Sequence, residues 1–383
     1  MAILWRSSAL AHRHAEIGGE LEDWNGMGTA WFYDDTPERA KADYEAVRTK
    51  AGLMDVSGLK KCHVSGKDAA YVIDRCTTRN VEKIAPGRAI YAAMLNADGK
   101  FIDDCVIYHI AVNSWMVVIG TGTGMESLTA VAAGKDCTVL FDDDLHDLSL
   151  QGPVSVDLLA KEIPAIRDLA YFGIMQGRLY GRDVMISRTG YTGERGYEIF
   201  CRRKDAVHLW DNILEAGKDM GVRPVQFSTL DMLRIESYLL FYPGDNSETF
   251  PFADGQPCGD TLWELGLEFT VSPGKIGFIG SENHFASEGR ERFKIYGVQL
   301  ADSMAQMDMG ARVMHGSTDV GVITYGLSSD LNNYSVAIAR ISPETAKPGT
   351  KLTVVQLDGT ELAATAEEMP FYDKDKSVRT AKG

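Results

Sequence analysis

The sequence lacks the patterns of a cross-linked, zinc-binding or membrane-spanning protein. Its six cysteines include no C-x-x-C pair, and no apolar run approaches the ~18 to 20 residues that cross a bilayer. We therefore expect reduced, mostly buried thiols in a cytoplasmic protein, without disulfides or a membrane span. Histidine and arginine interrupt the apolar start of the chain before a signal-peptide core forms, so we interpret the N-terminus as mature sequence.

Basic charge is also scarce. The 383 residues include 39 Lys and Arg against 54 Asp and Glu, which gives a formal net charge of -15. Nucleic acids and anionic membranes bind basic surfaces, so neither is an expected partner.

Familiar catalytic motifs are missing as well. The pattern G-x-S-x-G does not occur. The segment VVIGTGTGMES has glycines at 120, 122 and 124, but Met125 stands where the dinucleotide-binding pattern needs its third glycine. His12 and His14 have no matching cluster of carboxylates or thiols. The sequence therefore predicts no metal site and gives little support to nucleotide binding.

The remaining composition is that of a globular protein with more than one core. The chain is 45% hydrophobic, and its length favours two to three domains. Periodicity predicts helices over 38–51 and 204–220, and a hairpin over 89–110 that turns at 96–99. From about residue 285, short strands follow one another closely with Gly, Asn and Pro between them. This pattern is typical of a β-barrel or sandwich and places a domain boundary near 285.

Two pairs of acidic residues are candidates for chemistry. Asp103 and Asp104 follow a turn, and because neighbouring residues of a strand point to opposite faces, only one can face a given cavity. Glu194 and Glu198 form the second pair, in ISRTGYTGERGYEIF. Glu198 lies on the opposite face of its strand from Tyr197. A carboxylate accepts two hydrogen bonds at once, which suits a flat heterocycle with adjacent N–H donors. Exposed carboxylates beside turns remain the alternative for both pairs.

A basic residue is the third candidate. Arg234 lies three residues after Asp231 in an otherwise apolar predicted helix, so the two side chains can pair on one face. A buried arginine needs a carboxylate, either from the protein or from a ligand. The residues alone leave both interpretations open.

Seven segments, in order along nearly the whole chain, resemble the folate-binding T-protein family of the glycine cleavage system and its demethylase relatives. They are AVRTKAGLMDVSGL (46–59), AIYAAMLNADGKFIDD (89–104), LQGP (150–153), SRTGYTGERGYEI (187–199), DMLRIES (231–237), GFIG (277–280) and GVITYGLSSDLNNYSVAIARI (321–341).

The resemblance implies an α+β fold, a three-domain cloverleaf around a central folate channel. Residues 1–284 would form the folate-binding region, as two intertwined α+β subdomains, and 285–383 a C-terminal β-barrel domain. It assigns the catalytic aspartate near N5 of tetrahydrofolate to Asp103, and the pterin N–H edge to Glu198. Glu194 is then left with a local structural role. Further lining of the folate site is assigned to Tyr91, Tyr191, Arg234 and Met54.

Departures from the family pattern concern the donor of the carbon. The family's Asp-Val-Ser-His ends here in Gly58, its Gly-Gly pair becomes Gly99-Lys100, and Phe269 replaces a tryptophan. These positions cluster where the resemblance places the arm of a lipoyl carrier protein. We therefore expect a demethylase that moves a methyl group from a small sulfonium, methylamine or methoxy donor to N5, giving 5-methyltetrahydrofolate.

Two alternatives accompany this expectation. The first is the glycine cleavage aminomethyltransferase itself, acting on an aminomethyl-lipoyl carrier protein. The second is a non-catalytic folate-binding module, although the Lys-Gly-Cys-Tyr-x-Gly-Gln motif that marks such modules does not occur.

Overall fold

The computed structural model describes residues 4–252, 259–301 and 303–382. Within these ranges, every helix is too short or too polar to traverse a bilayer. The five cysteines in these ranges are free thiols, and Cys258 lies outside them. A small sheet of order β1-β3-β2 opens the chain. Its elements are β1 (Arg6–Ser7), α1 (Ala11–Glu16), β2 (Glu20–Trp24) and β3 (Met27–Phe32).

A five-stranded antiparallel sheet follows, in the order β6-β7-β8-β5-β9. The elements of this region are α2 (Pro37–Thr49), β4 (Ala51–Asp55), β5 (Lys60–Ser65), α3 (Ala69–Cys76), β6 (Arg88–Leu95), β7 (Phe101–Ala111), β8 (Ser114–Ile119), α4 (Gly124–Ala132) and β9 (Thr138–Phe141). Helix α2 begins where Thr36 caps the backbone N–H of Arg39, and Pro37 occupies its first turn. The helix and the β6–β7 hairpin form where the sequence predicts them.

A second, six-stranded sheet has the order β11-β12-β13-β10-β4-β14. Its strands and the helices that pack on it are β10 (Leu145–Gln151), α5 (Ser155–Ala160), β11 (Ile174–Leu179), β12 (Arg182–Ser187), β13 (Gly196–Arg202), α6 (Arg203–Gly217), β14 (Val222–Pro224) and α7 (Thr229–Glu236). Strand β14 pairs with β4 in parallel, and the other pairs are antiparallel.

The C-terminal part is a closed barrel of order β15-β18-β17-β16-β19-β20. Its elements, with the helices before and after it, are α8 (Leu262–Leu265), α9 (Ser281–Ala286), β15 (Lys294–Leu300), β16 (Arg312–His315), β17 (Thr318–Ser329), β18 (Tyr334–Ile341), β19 (Lys351–Val355), β20 (Glu361–Glu367) and α10 (Ser377–Thr380). Short 3-10 helices span Val81–Lys83, Pro164–Asp168, Lys218–Met220 and Glu268–Thr270. The predicted α+β class with a C-terminal barrel is confirmed, and the boundary at 285 stays a prediction.

The two larger sheets pack face to face, and this contact positions the site. A buried layer between them joins Tyr108 and Val118 of the five-stranded sheet to Phe200 of the six-stranded sheet. The other face of the five-stranded sheet, with Cys105 and Ile107, packs on α3 and α4. Even-numbered side chains of β7 therefore face the layer between the sheets, while odd-numbered ones face the helices.

Candidate functional site

Glu198 lies in a row of four side chains that crosses the six-stranded sheet. The strand register aligns Met54, Ser149, Glu198 and Ser187. Oε2 of Glu198 accepts hydrogen bonds from the hydroxyls of Tyr108, at 3.1 Å, and Thr189. Its Oε1 has no hydrogen-bond partner among the residues that the structure describes. Glu198 is only partly buried as a residue, so one oxygen is held in place and the other is available to a ligand.

Glu194, four residues earlier, has a different environment. It is buried, and its Oε1 pairs with Arg48 at 3.1 Å and accepts the hydroxyl of Tyr372 at 2.6 Å. Burial raises the pKa of Glu194, and the Arg48 charge opposes that shift. All of these contacts are internal, as the local structural role expected for Glu194 requires.

Asp103 faces the helices rather than the layer between the sheets. Its Oδ2 accepts the backbone N–H of Gly124, the first residue of α4, at 3.0 Å, and its Oδ1 accepts the N–H of Asp104 at 3.0 Å. Burial, followed by the neighbouring Asp104 charge, raises the pKa of Asp103 to about 7. A Cβ at Gly122 would lie 2.8 Å from the Asp103 carboxyl carbon. The glycine-rich segment that only partly matches a phosphate loop thus surrounds a carboxyl group of the protein itself.

Asp104 faces the opposite way, toward the layer that contains Glu198. The hydroxyl of Tyr91 donates to Oδ2 of Asp104 at 2.7 Å. Tyr108 lies four residues further along the same face of β7 and donates to Glu198. Burial raises the pKa of Asp104, and the Tyr91 hydrogen bond opposes this shift. The structure therefore brings Asp104, and not the predicted Asp103, to the face that Glu198 shares.

The alternation of side chains along a strand predicts that the two aspartates separate, but not which of them faces the site. That choice depends on the packing of two sheets whose strands are distant in sequence. For this reason the sequence did not single out Asp104. The catalytic role of Asp103 stays a prediction, and its surroundings do not favour it.

Arg234 is fully buried and already carries two carboxylate partners. Its Nε donates to Asp231 at 3.2 Å, as the spacing predicts, and its Nη1 to Asp245 at 2.5 Å. The guanidinium carbon lies 4.2 Å from the centre of the Tyr325 ring. These contacts favour the internal ion pair over the ligand anchor for Arg234.

The remaining predicted lining residues, Tyr191 and Met54, make internal contacts. The Tyr191 hydroxyl donates to the carbonyl of Leu240 at 2.5 Å. Burial raises the pKa of Tyr191, and the Arg234 charge opposes that shift. Met54 is 1% exposed and packs in a core with Phe227 and Leu230. Met54 thus lies at the end of the row that contains Glu198, buried in this core rather than in the open part of the site.

Fold and site together define a two-part protein, a pair of facing sheets with a closed barrel, that presents two carboxylates from one buried layer. Residues 10–274 match the GCVT N-terminal domain, and residues 294–373 match the glycine cleavage T-protein C-terminal barrel domain. The chain belongs to the glycine cleavage T-protein family.

Its relatives are enzymes with more than one activity. The chain is 55% identical over 384 residues to the heme-dependent oxidative N-demethylase gamma subunit of Ectopseudomonas mendocina, with full coverage of both chains. It is 30% identical to the aminomethyltransferase of Bacillus pumilus, across 97% of this chain and 100% of that one. The trimethylamine-oxide aldolase of Ruegeria pomeroyi is 32% identical across 88% of this chain, but the match covers 43% of that protein.

A solved structure has the same fold. The glycine cleavage aminomethyltransferase of Bartonella henselae superposes with a TM-score of 0.84, covering 96% of this chain and 98% of that chain, at 22% identity. The predicted family, and the prediction of an enzyme, are confirmed by these comparisons.

Proposed function

We propose that this protein transfers a one-carbon unit from an N-methylated amine to tetrahydrofolate. The observation that carries the proposal is the placement of Glu198 and Asp104 on facing sheets of one layer, connected through Tyr108. Cα atoms four residues apart on a strand are separated by about 13 Å. The distance from Asp104 to Tyr108 is therefore long enough for a bicyclic ring that carries a substituent.

The side chains fit a reduced pterin. Glu198 offers Oε1, which accepts no hydrogen bond from a described residue, beside an oxygen fixed by two hydroxyl donors. A carboxylate in this state can accept the adjacent N–H groups along the edge of the pterin ring. Tyr91 provides aromatic surface beside Asp104, and Tyr191 provides a second ring whose hydroxyl is held by the carbonyl of Leu240. When bound, tetrahydrofolate would supply N5 as the nucleophile that accepts the carbon.

Asp104 takes the role in this proposal that the sequence predicted for Asp103. Its carboxylate is oriented by the Tyr91 hydroxyl and is partly buried, so it can accept a proton from a nearby amine or stabilise positive charge there. The raised pKa of Asp104 brings it closer to neutral pH, which favours proton transfer in both directions.

The donor distinguishes two versions of the reaction. The sequence predicts direct methyl transfer, which gives 5-methyltetrahydrofolate. The relative that is 55% identical is a subunit of an oxidative N-demethylase, and oxidation of an N-methyl group releases its carbon as formaldehyde. Formaldehyde and the two N–H groups at N5 and N10 combine to 5,10-methylenetetrahydrofolate and water. We therefore favour a carbon at the formaldehyde level, delivered by a partner subunit that performs the oxidation.

A binding experiment tests the site. We expect Glu198→Gln to weaken tetrahydrofolate binding at least tenfold under anaerobic titration, because an amide presents a donor where the pterin edge needs an acceptor. Glu194→Gln is the matched control, since it removes a charge four residues away whose contacts are internal. Equal affinity of the wild type and Glu198→Gln would contradict the proposal. Mass spectrometry of the folate product after incubation with formaldehyde or methylated amines identifies the carbon donor.

Aminomethyl transfer is the second candidate, because relatives named aminomethyltransferase match nearly the whole chain. It requires a lipoyl carrier protein as partner and releases ammonia. Ammonia released from an aminomethyl-lipoyl carrier by the purified protein would favour this candidate over N-demethylation.

A further inference from the structure

Arg79 and two aromatic rings form a surface at the outer edge of the five-stranded sheet. Nε of Arg79 donates to the carbonyl of Tyr91 on the edge strand β6 at 2.7 Å, and Nη1 donates to the carbonyl of Phe269 at 3.1 Å. The Phe269 and Tyr91 rings are inclined by 20°, with centroids 6.5 Å apart, and the guanidinium lies 5.9 Å from the Phe269 ring. Phe269 is 60% exposed, so this surface is open to solvent.

The charge of Arg79 is not neutralised within the described ranges. No carboxylate there lies within salt-bridge distance of it, whereas Arg234 has two. Burial lowers the pKa of the Arg79 guanidinium, and no carboxylate opposes that effect. Its Nη2 also donates no hydrogen bond to a described residue. A half-buried arginine with spare N–H donors, in a protein with a net charge of -15, is suited to bind an anionic group.

The position of Arg79 relative to the site indicates which anion it meets. Glu198 is bonded to Tyr108 on β7, Asp104 lies on the same face of β7, and Tyr91 of β6 is bonded to Asp104. Arg79 donates a hydrogen bond to the backbone carbonyl of Tyr91 on the outer side of β6, away from β7. The groups therefore follow one another in a fixed order. The Glu198 acceptor for the pterin edge comes first, followed by the Asp104 carboxylate for N5, the two aromatic rings and the Arg79 guanidinium. Tetrahydrofolate has the same order: pterin, N5, an aminobenzoyl ring and the carboxylates of its glutamyl tail.

We propose that Arg79 binds a carboxylate of the glutamyl tail of tetrahydrofolate, with Tyr91 and Phe269 packing on the aminobenzoyl ring. The inference rests on the proposed function and adds a subsite to it. It assigns the attraction for the anionic tail to Arg79, since Asp231 and Asp245 already neutralise the charge of Arg234.

The test compares two ligands that differ only in their charge. One is tetrahydrofolate, and the other is the N-methylamide of tetrahydropteroate, which keeps both ring systems but has no carboxylate. We expect the wild type to bind tetrahydrofolate about tenfold more tightly than the amide in anaerobic calorimetry, the advantage of a charge-assisted contact. In Arg79→Met the two affinities should become equal through loss of tetrahydrofolate affinity alone. A purely structural role of Arg79 would weaken both ligands equally and would overturn the inference.

Two further variants separate contact from general charge. Lys83→Met removes one positive charge from an exposed position four residues away, and we expect it to keep the preference for tetrahydrofolate. Arg79→Lys should retain part of the preference, because charge remains while the planar pair of donors is lost. Equal affinities of the wild type for both ligands overturn this inference but leave the proposed function standing. Failure of the wild type to bind either ligand overturns both.

Discussion

Asp103 and Asp104 show how far the environments of covalent neighbours can differ. The carboxyl of Asp103 accepts two backbone N–H groups beside α4, and that of Asp104 accepts a phenol hydroxyl in the layer between the sheets. The first arrangement fixes the start of a helix, and the second orients a carboxylate in the layer between the sheets. An Asp→Asn substitution at each of the two positions tests these roles separately.

Asp104→Asn should reduce turnover and leave folate binding nearly unchanged. The amide cannot accept the proton, so we expect a loss of about 100-fold in kcat, within the usual range for general acid–base groups. The dissociation constant for tetrahydrofolate, measured by titration, should change by less than about threefold. Asp103→Asn serves as the isosteric control and should retain most of the activity. A large loss in Asp103→Asn, with normal activity in Asp104→Asn, would restore the assignment predicted from the sequence.

Asp103 should also make stability depend on pH. The pKa of its carboxyl is about 7 in the folded protein, against an ordinary value of 3.8 for an aspartate in water, so the folded state binds the proton more tightly. This stabilising contribution is complete below about pH 4 and is lost as the pH rises to about 7. Relative to Asp103→Asn, the free energy of unfolding of the wild type should fall by on the order of 4 kcal/mol over that interval. Urea titrations at several pH values measure it, and a difference independent of pH would contradict the assignment.

Sequence spacing identified some contacts of the site and could not identify others. The Asp231–Arg234 pair follows from helical periodicity, because residues three apart share a face. Asp245, the second partner of Arg234, lies beyond the end of α7, where no periodicity relates the two. The Tyr108–Glu198 bond joins two sheets. Such contacts depend on tertiary packing, and a single sequence carries no signal for them.

Local sequence patterns correctly predicted several helices and strands. The β6–β7 hairpin, α6 and the barrel strands follow from alternation, turn residues and helical periodicity. Strand order was not predictable: β4 precedes the five-stranded sheet in sequence, yet it pairs with β10 and β14 in the other sheet. The five-stranded sheet is thus inserted in the chain between β4 and the other strands of the six-stranded sheet.

The segment after the barrel has little regular secondary structure but makes contacts with residues distant in sequence. Residues 371–381 return to the N-terminal part, where Tyr372 bonds to Glu194 and the carbonyls of Arg379 and Ala381 accept from Arg188. Arg48 also lies 4.1 Å from the centre of the Tyr372 ring. This segment supplies partners to two buried charges and so contributes to the folded state of the N-terminal part.

Removing residues 371–383 should destabilise the protein strongly. Arg188 and Glu194 would lose buried hydrogen-bond partners, and each such loss costs about 1 to 3 kcal/mol. We expect the free energy of unfolding, measured by urea titration, to fall by roughly 3 kcal/mol or more. Removal of residues 382–383 alone is the control, because the contacts above end at Ala381. Equal stability of both shortened chains would show that the returning segment contributes nothing.

Across the whole molecule, a buried polar network connects the N-terminal region to the barrel. Glu236, at the end of α7, accepts hydrogen bonds from Tyr44 at 2.8 Å and from Arg48 at 2.7 Å. It also accepts from Asn332, at 3.1 Å, and from Tyr334 of β18. The pKa of Tyr334 is raised by burial and by the Glu236 charge. One carboxylate therefore connects α2, α7 and the barrel, and the two parts should unfold together.

Glu236→Gln tests this connection. The substitution keeps the shape of the side chain but leaves Arg48 with one carboxylate instead of two, so we expect a loss of about 3 kcal/mol. For a chain of this length that corresponds to a decrease of about 4 °C in Tm. Glu361→Gln, at an exposed position of β20, should leave Tm unchanged. Calorimetry should show one transition for the wild type, and two separate transitions in the wild type would contradict cooperative unfolding.

The returning C-terminal segment has a consequence for how the protein is made. Arg188 and Arg379 are separated by 191 positions, so a ribosome that adds about 5 to 20 residues per second needs roughly 10 to 40 s to supply the second after the first. Throughout that interval the nascent N-terminal part holds a buried guanidinium without these carbonyl partners. The polypeptide can therefore complete this buried contact only after Ala381 has been synthesised.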